Sequence, residues 1–502
     1  MKKAMKLLAL MLAGLMLCSS LAACGGGGGA DTADTTAPNH PDDTGVTIPE
    51  TEKEDVDPIQ TAIDFLKETT DWGGKTLTVM YSADIAGYSE EVENVMENGN
   101  VVNEAVHKRN VLFEEYAKLT FNTMPVGQHE IITKLQAEVR APNGDFQFLS
   151  NRSDVVSSNA TNGFLYDYMD LNIDYELACW DQGTLDFALD GHVFFMNGAF
   201  NVVDDDVTML TIFNKKLRGL YVKEDLYKVA KDHKWTLDKF GSLVSNLSSD
   251  NGDGVWNDQD TYGFSCPSSI GTTFFYGAGL RYIANTRDMV TPELILTGSK
   301  LEQAIDVMNK TREIIHNNNS SYVAKGGNEG LSLGVFMNGR SLFYIEAASY
   351  LRTLQSQMAD EYGVLPIPKY SESQDSYYTW SAGIGSTLCF PTTVARAGND
   401  MDNFAGAVEL YALLSEQYVR PAYYRQLLTT RNVHDVQSAE MVDLIFLHRT
   451  YDMAMIFVNA FQLSDIFATA VADPGAPTFS SQYASRSQKF DTAVTRLLNK
   501  LR

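Results

Sequence analysis

Three features of the sequence predict an α/β protein whose sheet is largely parallel and covered by helices on both faces. Runs of strand length alternate with segments whose apolar residues recur at helical spacing. The first of these follow a β-α-β-α-β order, which calls for crossover helices and so for a parallel sheet. The body of the chain, about residues 72 to 502, is long enough for more than one lobe. A sequence that is 44% hydrophobic and 11% aromatic can fill their cores.

In order, KTLTVMY (75–81) alternates apolar and polar positions and reads as the first strand. Val102, Ala105, Val106, Leu112, Phe113, Tyr116 and Leu119 share one face of the helix that follows. FNTMPV is the second strand. Ile131, Ile132, Leu135 and Val139 mark a second helix, stopped by Pro142, and DFQFLS (145–150) is the third strand. A second set begins at VTMLTIFN (207–214), a buried strand. Thr236 is placed to cap a helix that carries Leu237, Phe240, Leu243, Val244 and Leu247 on one face, with Asp238 in its first turn. Leu301, Ala304, Ile305, Met308 and Ile315 mark another long helix. SLFYIEA (341–347) and YGVLPIP (362–368) are strands, and helices are expected over 404–418, 440–448 and 490–501.

The N-terminus carries a different signal. Lys2, Lys3 and Lys6 precede an apolar run over 7–17, shorter than the roughly 20 residues that cross a bilayer. Small residues then lead to LAAC (21–24), the pattern of a cleavable export signal. LAAC resembles the lipobox of bacterial lipoproteins, which implies cleavage after residue 23 and acylation of Cys24, the palmitate-type anchor. A plain signal peptide cut near Ala23 is the alternative. Residues 24–71 are expected to be the lipidated cysteine and a disordered acidic tether: from Gly25 to Pro58 nine acids face one lysine, with no aromatic residue.

The formal charge is −25, and loss of the three leader lysines takes it to −28. Such a field opposes nucleic acid and anionic headgroups as partners. Cys179, Cys266 and Cys389 are far apart, with no CxxC, and read as small buried hydrophobes. Neither HExxH nor a Walker loop occurs, and the histidines have no ligand spacing.

The run TIFNKKL, followed by EDLYKVAKDHKWTLDKFGSLVSNLSSDNGDGVWNDQDTYGFS, resembles the extracellular solute-binding proteins of carbohydrate ABC importers (family 1, maltose-binding-protein-like). Asn214, Lys215, Trp235, Thr236, Asp238, Phe240, 251–254, Asp260, Tyr262 and Gly263 carry the match. NGRSLFYIEA, DEYGVLPIPKYSESQDSYYT and RPAYYRQLLTTRN fit later in the same order, over roughly 73 to 490. The resemblance implies a two-lobed, periplasmic-binding-protein-like fold of class II, each lobe a sheet flanked by helices, with the ligand cleft between them. Lobe 1 would comprise 73–206 plus 381–432 and lobe 2 207–380 plus 433–502, with crossings near 204–208, 376–382 and 431–440. It also implies a monomer on the extracytoplasmic face, a small carbohydrate ligand, ABC permease subunits as partners, and membrane contact through the lipid alone.

In such sheets the loops after the carboxyl ends of strands line the crevice. This rule selects Tyr81, Asp84, Asn151, Arg152, Asp154, Tyr276 and Glu346 as ligand-binding candidates, with Trp380 at a crossing as a stacking floor. The loop with Asn251, Asp253, Asn257 and Asp260 has calcium-like spacing counted from Ser249, although Ser249 and Asp260 stand where Asp and Glu would be expected. We read it as a turn whose side chains cap their own backbone, with calcium the alternative and no other cofactor expected. The functional expectation is a non-enzymatic binding protein for a neutral sugar or oligosaccharide. The alternatives are a surface glycan hydrolase and a glycan-binding adhesin or sensor.

Overall fold

The computed structural model describes residues 57–501 apart from 86, 94–99, 318, 325–328, 397–399, 429–435 and 474. The leader, Cys24 and the tether up to residue 56 lie outside the described residues. Among the described residues no helix is long and apolar enough to cross a membrane.

The first element corrects the expected extent of the tether. Residues Pro58–Thr69 form helix α1, with Asp57 capping the Ile59 N–H at 2.9 Å and Pro58 in the first turn. Ile63 and Leu66 are buried, and Trp72 donates from its indole to the Asn403 carbonyl. Ile59, Ala62, Ile63 and Leu66 make a helical apolar stripe that the acidic surroundings disguise.

Along the chain follow β1 (Thr76–Ser82), α2 (Tyr88–Val92), α3 (Val101–Ala117), β2 (Thr120–Val126), α4 (Gln128–Arg140), β3 (Phe148–Arg152) and α5 (Ser153–Ala160). β1 pairs in parallel with β2 and β3. Central and covered on both faces, β1 is buried from Leu77 to Ser82, as parallel strands are. Pro125 is tolerated because β2 is an edge strand. Residues 162–200 then run irregularly, with two short 3-10 turns.

Helix α6 (Val202–Asp206) leads into β4 (Met209–Asn214), which starts the second sheet. The chain continues through α7 (Leu237–Ser245), β5 (Ser248–Ser249), β6 (Thr261–Cys266), α8 (Ile270–Gly277), α9 (Gly298–His316), β7 (Ser321–Val323), β8 (Ser341–Ala347), α10 (Tyr350–Gln357) and β9 (Tyr362–Leu365). The sheet order is β9-β4-β8-β6-β5, with β7 beside β6. Thr236 caps α7, accepting from the Lys239 N–H at 3.2 Å. The chain then returns through β10 (Thr379–Trp380) to β11 (Ser386–Cys389), which completes the first sheet antiparallel to β3, giving β11-β3-β1-β2.

Helices α11 (Met401–Leu414) and α12 (Arg420–Leu428) follow on the first lobe, joined by a π turn. α13 (Val436–Leu447) packs on β9 of the second. The expected third crossing, 431–440, is only partly within the described residues. β12 (Arg449–Thr450) pairs with β10, so a two-stranded ribbon joins the lobes. Beyond it, α14 (Met453–Ile456) lies against α5 of the first lobe, and helix 466–472 lies against α8 and α9 of the second. The chain is therefore a two-lobed α/β protein with helices on both sheets.

Candidate functional site

Two groups of side chains gather at the crossings. On the first lobe, the loop after β3 is laced to the crossing that follows β10. Asp154 N–H donates to Gly383 O and Ser153 N–H to Gly385 O, each at 3.1 Å. Tyr88 reaches from α2 to donate to Ile384 O at 3.1 Å. Arg152 and Asp154 pair side-on, with nitrogen–oxygen distances of 2.6 and 3.0 Å, and remain partly exposed. Ile384 is 46% exposed, an apolar side chain left open at this lip. Glycine is required here by close approach: a Cβ on Gly385 would lie 2.5 Å from Asp204 Oδ1, and one on Gly383 would strike the Met455 carbonyl.

On the second lobe, Trp380 is half-buried and lies over Tyr276, with ring centroids 5.6 Å apart and planes 31° apart. Its indole N–H donates to Thr273 Oγ1 at 3.3 Å. Tyr276 donates in turn to the buried carboxylate of Asp452 at 3.2 Å, which also accepts the Tyr282 and Ala454 N–H groups. Burial and then Asp452 push the Tyr276 hydroxyl far above its usual range, so it stays a donor. The result is a two-ring platform fixed at both ends, with only the upper ring reaching solvent.

The eight expected ligand residues thus separate. Trp380, Arg152 and Asp154 remain partly exposed beside the crossings. Glu346 is partly exposed at the end of β8, and its charge is felt at the Cys266 thiol. Tyr276 supports Trp380 from below. Tyr81 is a correction: it is 1% exposed and its hydroxyl donates to Glu93. Asn151 is another, fully buried, with Oδ1 accepting from Ser82 Oγ and Arg152 N–H at 2.8 Å. Asp84 is exposed but caps α4, accepting from Gln128 N–H at 2.8 Å. Tyr88 and Ile384 were not anticipated, since neither directly follows a strand.

A buried ionic cluster ties the crossings together. Arg449 of β12 contacts Asp204 at 3.2 Å, Asp205 at 2.7 Å and Asp181 at 2.8 Å. Arg352 of α10 grips Asp206 through both nitrogens at 2.6 and 2.7 Å, and Arg420 bridges Asp181 and Glu416. Tyr451 and Ser381 add hydroxyl donors to Asp204. Five carboxylates face three guanidiniums. Burial pushes Asp204 and Asp205 up, against the pull of Arg449. Removing one member of such a set would strand a buried charge, so the cluster fixes how the crossings meet.

In the calcium-like loop, the side-chain oxygens serve the backbone. Asn251 accepts from Asp253 N–H, Asp253 from Val255 N–H and Asn257 from Gln259 N–H, while Asp260 accepts from Asn251 and Asn257. No group of three or more His, Cys, Asp or Glu among the described residues is placed to hold a metal ion.

No family model matches the sequence, and no curated protein matches it. Solved structures do match in fold. A cyclic α-maltosyl-1,6-maltose binding protein from Arthrobacter globiformis superposes with a TM-score of 0.55 at 14% identity, covering 86% of this chain and 99% of that one. A family 1 extracellular solute-binding protein from Bifidobacterium longum subsp. infantis gives 0.53 at 14% identity, covering 84% and 100%. UgpB from Mycobacterium tuberculosis, solved with glycerophosphocholine, gives 0.51 at 14% identity, covering 83% and 98%. At these identities the shared property is the two-lobed fold.

Proposed function

We propose that this chain is a member of the family 1 solute-binding proteins, held at the extracytoplasmic face by lipid on Cys24. It takes a neutral sugar or oligosaccharide into the crevice between its lobes and, as a monomer without enzymatic activity, delivers it to an ABC permease. The fold alone does not choose the solute, since its relatives include a sugar-binding protein and one solved with a phosphodiester. The observation that carries the reading is the Trp380 platform: an indole open on one face, backed by Tyr276, at a crossing between lobes. Sugars present flat C–H faces that stack on such rings, and hydroxyls that bond to planar polar groups such as Arg152 and Asp154. The net charge of −25 disfavours a highly anionic solute. A ligand touching both lips favours the closed arrangement, which is the form a permease would read.

A thermal-shift screen against neutral sugars and oligosaccharides tests the class, and Trp380→Ala tests the platform. The variant should lose about thirtyfold or more in affinity, because truncating a contact aromatic commonly costs 2 kcal/mol or more of binding. A core tryptophan behaves oppositely, costing roughly 3–5 kcal/mol of stability. A large fall in unfolding midpoint with unchanged affinity would assign Trp380 to the core. A screen in which no neutral saccharide shifts the midpoint would reject the class.

A further inference from the structure

A second hollow, of about 620 Å³, opens on the second lobe where the turn after α8 meets the loop over 370–378. That volume falls in the range of small-molecule sites, roughly 300–1,000 Å³. Gly279, Arg281, Gln303, Tyr370, Gln374 and Tyr378 form its working surface. The buried ammonium of Lys369 donates to the Glu372 and Gln374 carbonyls at 3.0 and 2.9 Å. The Gln374 side chain accepts from Tyr370 N–H and donates to the Gly277 and Ser376 carbonyls, so the loop is tied across its full width. Both tyrosine rings are half-exposed and pinned by their hydroxyls, Tyr370 to Asp306 at 2.9 Å and Tyr378 to Asp375 at 3.1 Å. Gly279 holds a φ of +69°, and a Cβ there would come within 3.4 Å of the Tyr378 ring, so the ring lies over bare backbone.

The hollow adjoins the platform through Thr450, which lines it and pairs with Trp380. Tyr377 and Thr379 point inward and are buried, while Tyr378 and Trp380 share the opposite, half-exposed face. Tyr378 lies two residues before Trp380, just outside β10. Trp380 lies against Thr273 and Tyr276 of α8, and Tyr378 against Gly279 just past the end of that helix. Resting on the sugar-capture reading, we propose that this hollow is a second carbohydrate-contact site. It takes the outlying units of an oligosaccharide whose inner units stack on Trp380. Flat rings held rigid beside an amide (Gln303) and a guanidinium (Arg281, itself steadied by Asp186 at 2.9 Å) suit alternating C–H faces and hydroxyls. On this proposal the natural ligand is a chain, and the hollow selects its length.

The test uses the full chain and a printed array of neutral glycans in length series. Calorimetry follows on the longest binder and on its disaccharide. Tyr378→Ala should lower the ratio of long-chain to disaccharide affinity by about tenfold. Gln303→Ala, a milder change on α9, should lower it in the same direction and serves if Tyr378→Ala folds poorly. Trp380→Ala should weaken both lengths and leave the ratio in place. An unchanged ratio in both hollow variants, with binding itself intact, would overturn the proposal and spare the sugar reading. If no glycan on the array binds the unmodified chain, the sugar reading falls and takes this site with it.

Discussion

Glu91 is a carboxylate that burial keeps protonated through mild acid. It is 1% exposed, where α2 meets β3, β11 and the start of α6. It accepts from Ser150 Oγ and Ser386 Oγ at 2.8 Å and from Val203 N–H at 3.1 Å. Burial raises it from 4.5 to about 7 against those hydrogen bonds and the nearby Arg109. A shift of that size corresponds to about 3 kcal/mol between the charged and neutral forms. Because the folded value is the higher one, the folded chain holds a proton that the unfolded chain releases between pH 4.5 and 7. Stability should therefore be greatest in mild acid and fall as pH rises through that window, by up to about 1.4 kcal/mol per unit from this group, before levelling. Glu409, raised by burial to about 7 as well, adds a second term of the same sign. Glu91→Gln keeps the shape, keeps an acceptor for Val203, and cannot ionise. Denaturant unfolding at pH 5, 6, 7 and 8 should give a flatter profile for the variant. It should match the unmodified chain near pH 5 and exceed it by about 2–3 kcal/mol at pH 8. Parallel profiles would mean that Arg109 keeps Glu91 ionised in the fold, and the reasoning would be wrong.

Cys24→Ser should move the full chain from the membrane fraction to the soluble one, read by fractionation and immunoblot; a variant that stays with the membrane refutes lipid anchoring at that residue. Added calcium should leave the melting temperature unchanged, because Asp253, Asp260 and their neighbours already serve backbone N–H groups. A bound ion at a hundredfold excess over its dissociation constant would add about 2.7 kcal/mol. A rise of that order, abolished by Asp253→Ala, would make the loop a metal site.

Where period and capping act locally, the sequence was readable. The stripe Leu237, Phe240, Val244 and the Thr236 cap gave α7, and apolar spacing gave the helix Phe490–Leu501 as found. The platform was half legible: Trp380 sits at an expected crossing, but the Asp452 that anchors its supporting Tyr276 is 176 positions from that tyrosine and has no local signature. Tyr81 and Asn151 failed for a physical reason. β1 and β3 are buried on both faces, so alternation cannot say which of their residues turn toward solvent and which toward the helices. α1 was hidden because acidic composition outweighed a four-residue apolar stripe. The Arg449 cluster joins residues up to 268 positions apart, a pairing that no window along the chain contains.

The three body cysteines are free and buried, and burial holds each thiol well above its ordinary range. Thiolate is the reactive form, so all three are slow toward alkylating dyes in the folded chain. A version starting at residue 57 thus behaves as if it were cysteine-free. Any cysteine placed on its surface takes a label alone, without prior removal of the native ones. Ile384, open at the lip and bonded through its own carbonyl to Tyr88, offers a place for an environment-sensitive fluorophore beside the crossing. The molecule is in this sense already prepared for conversion into an optical sensor of its own solute.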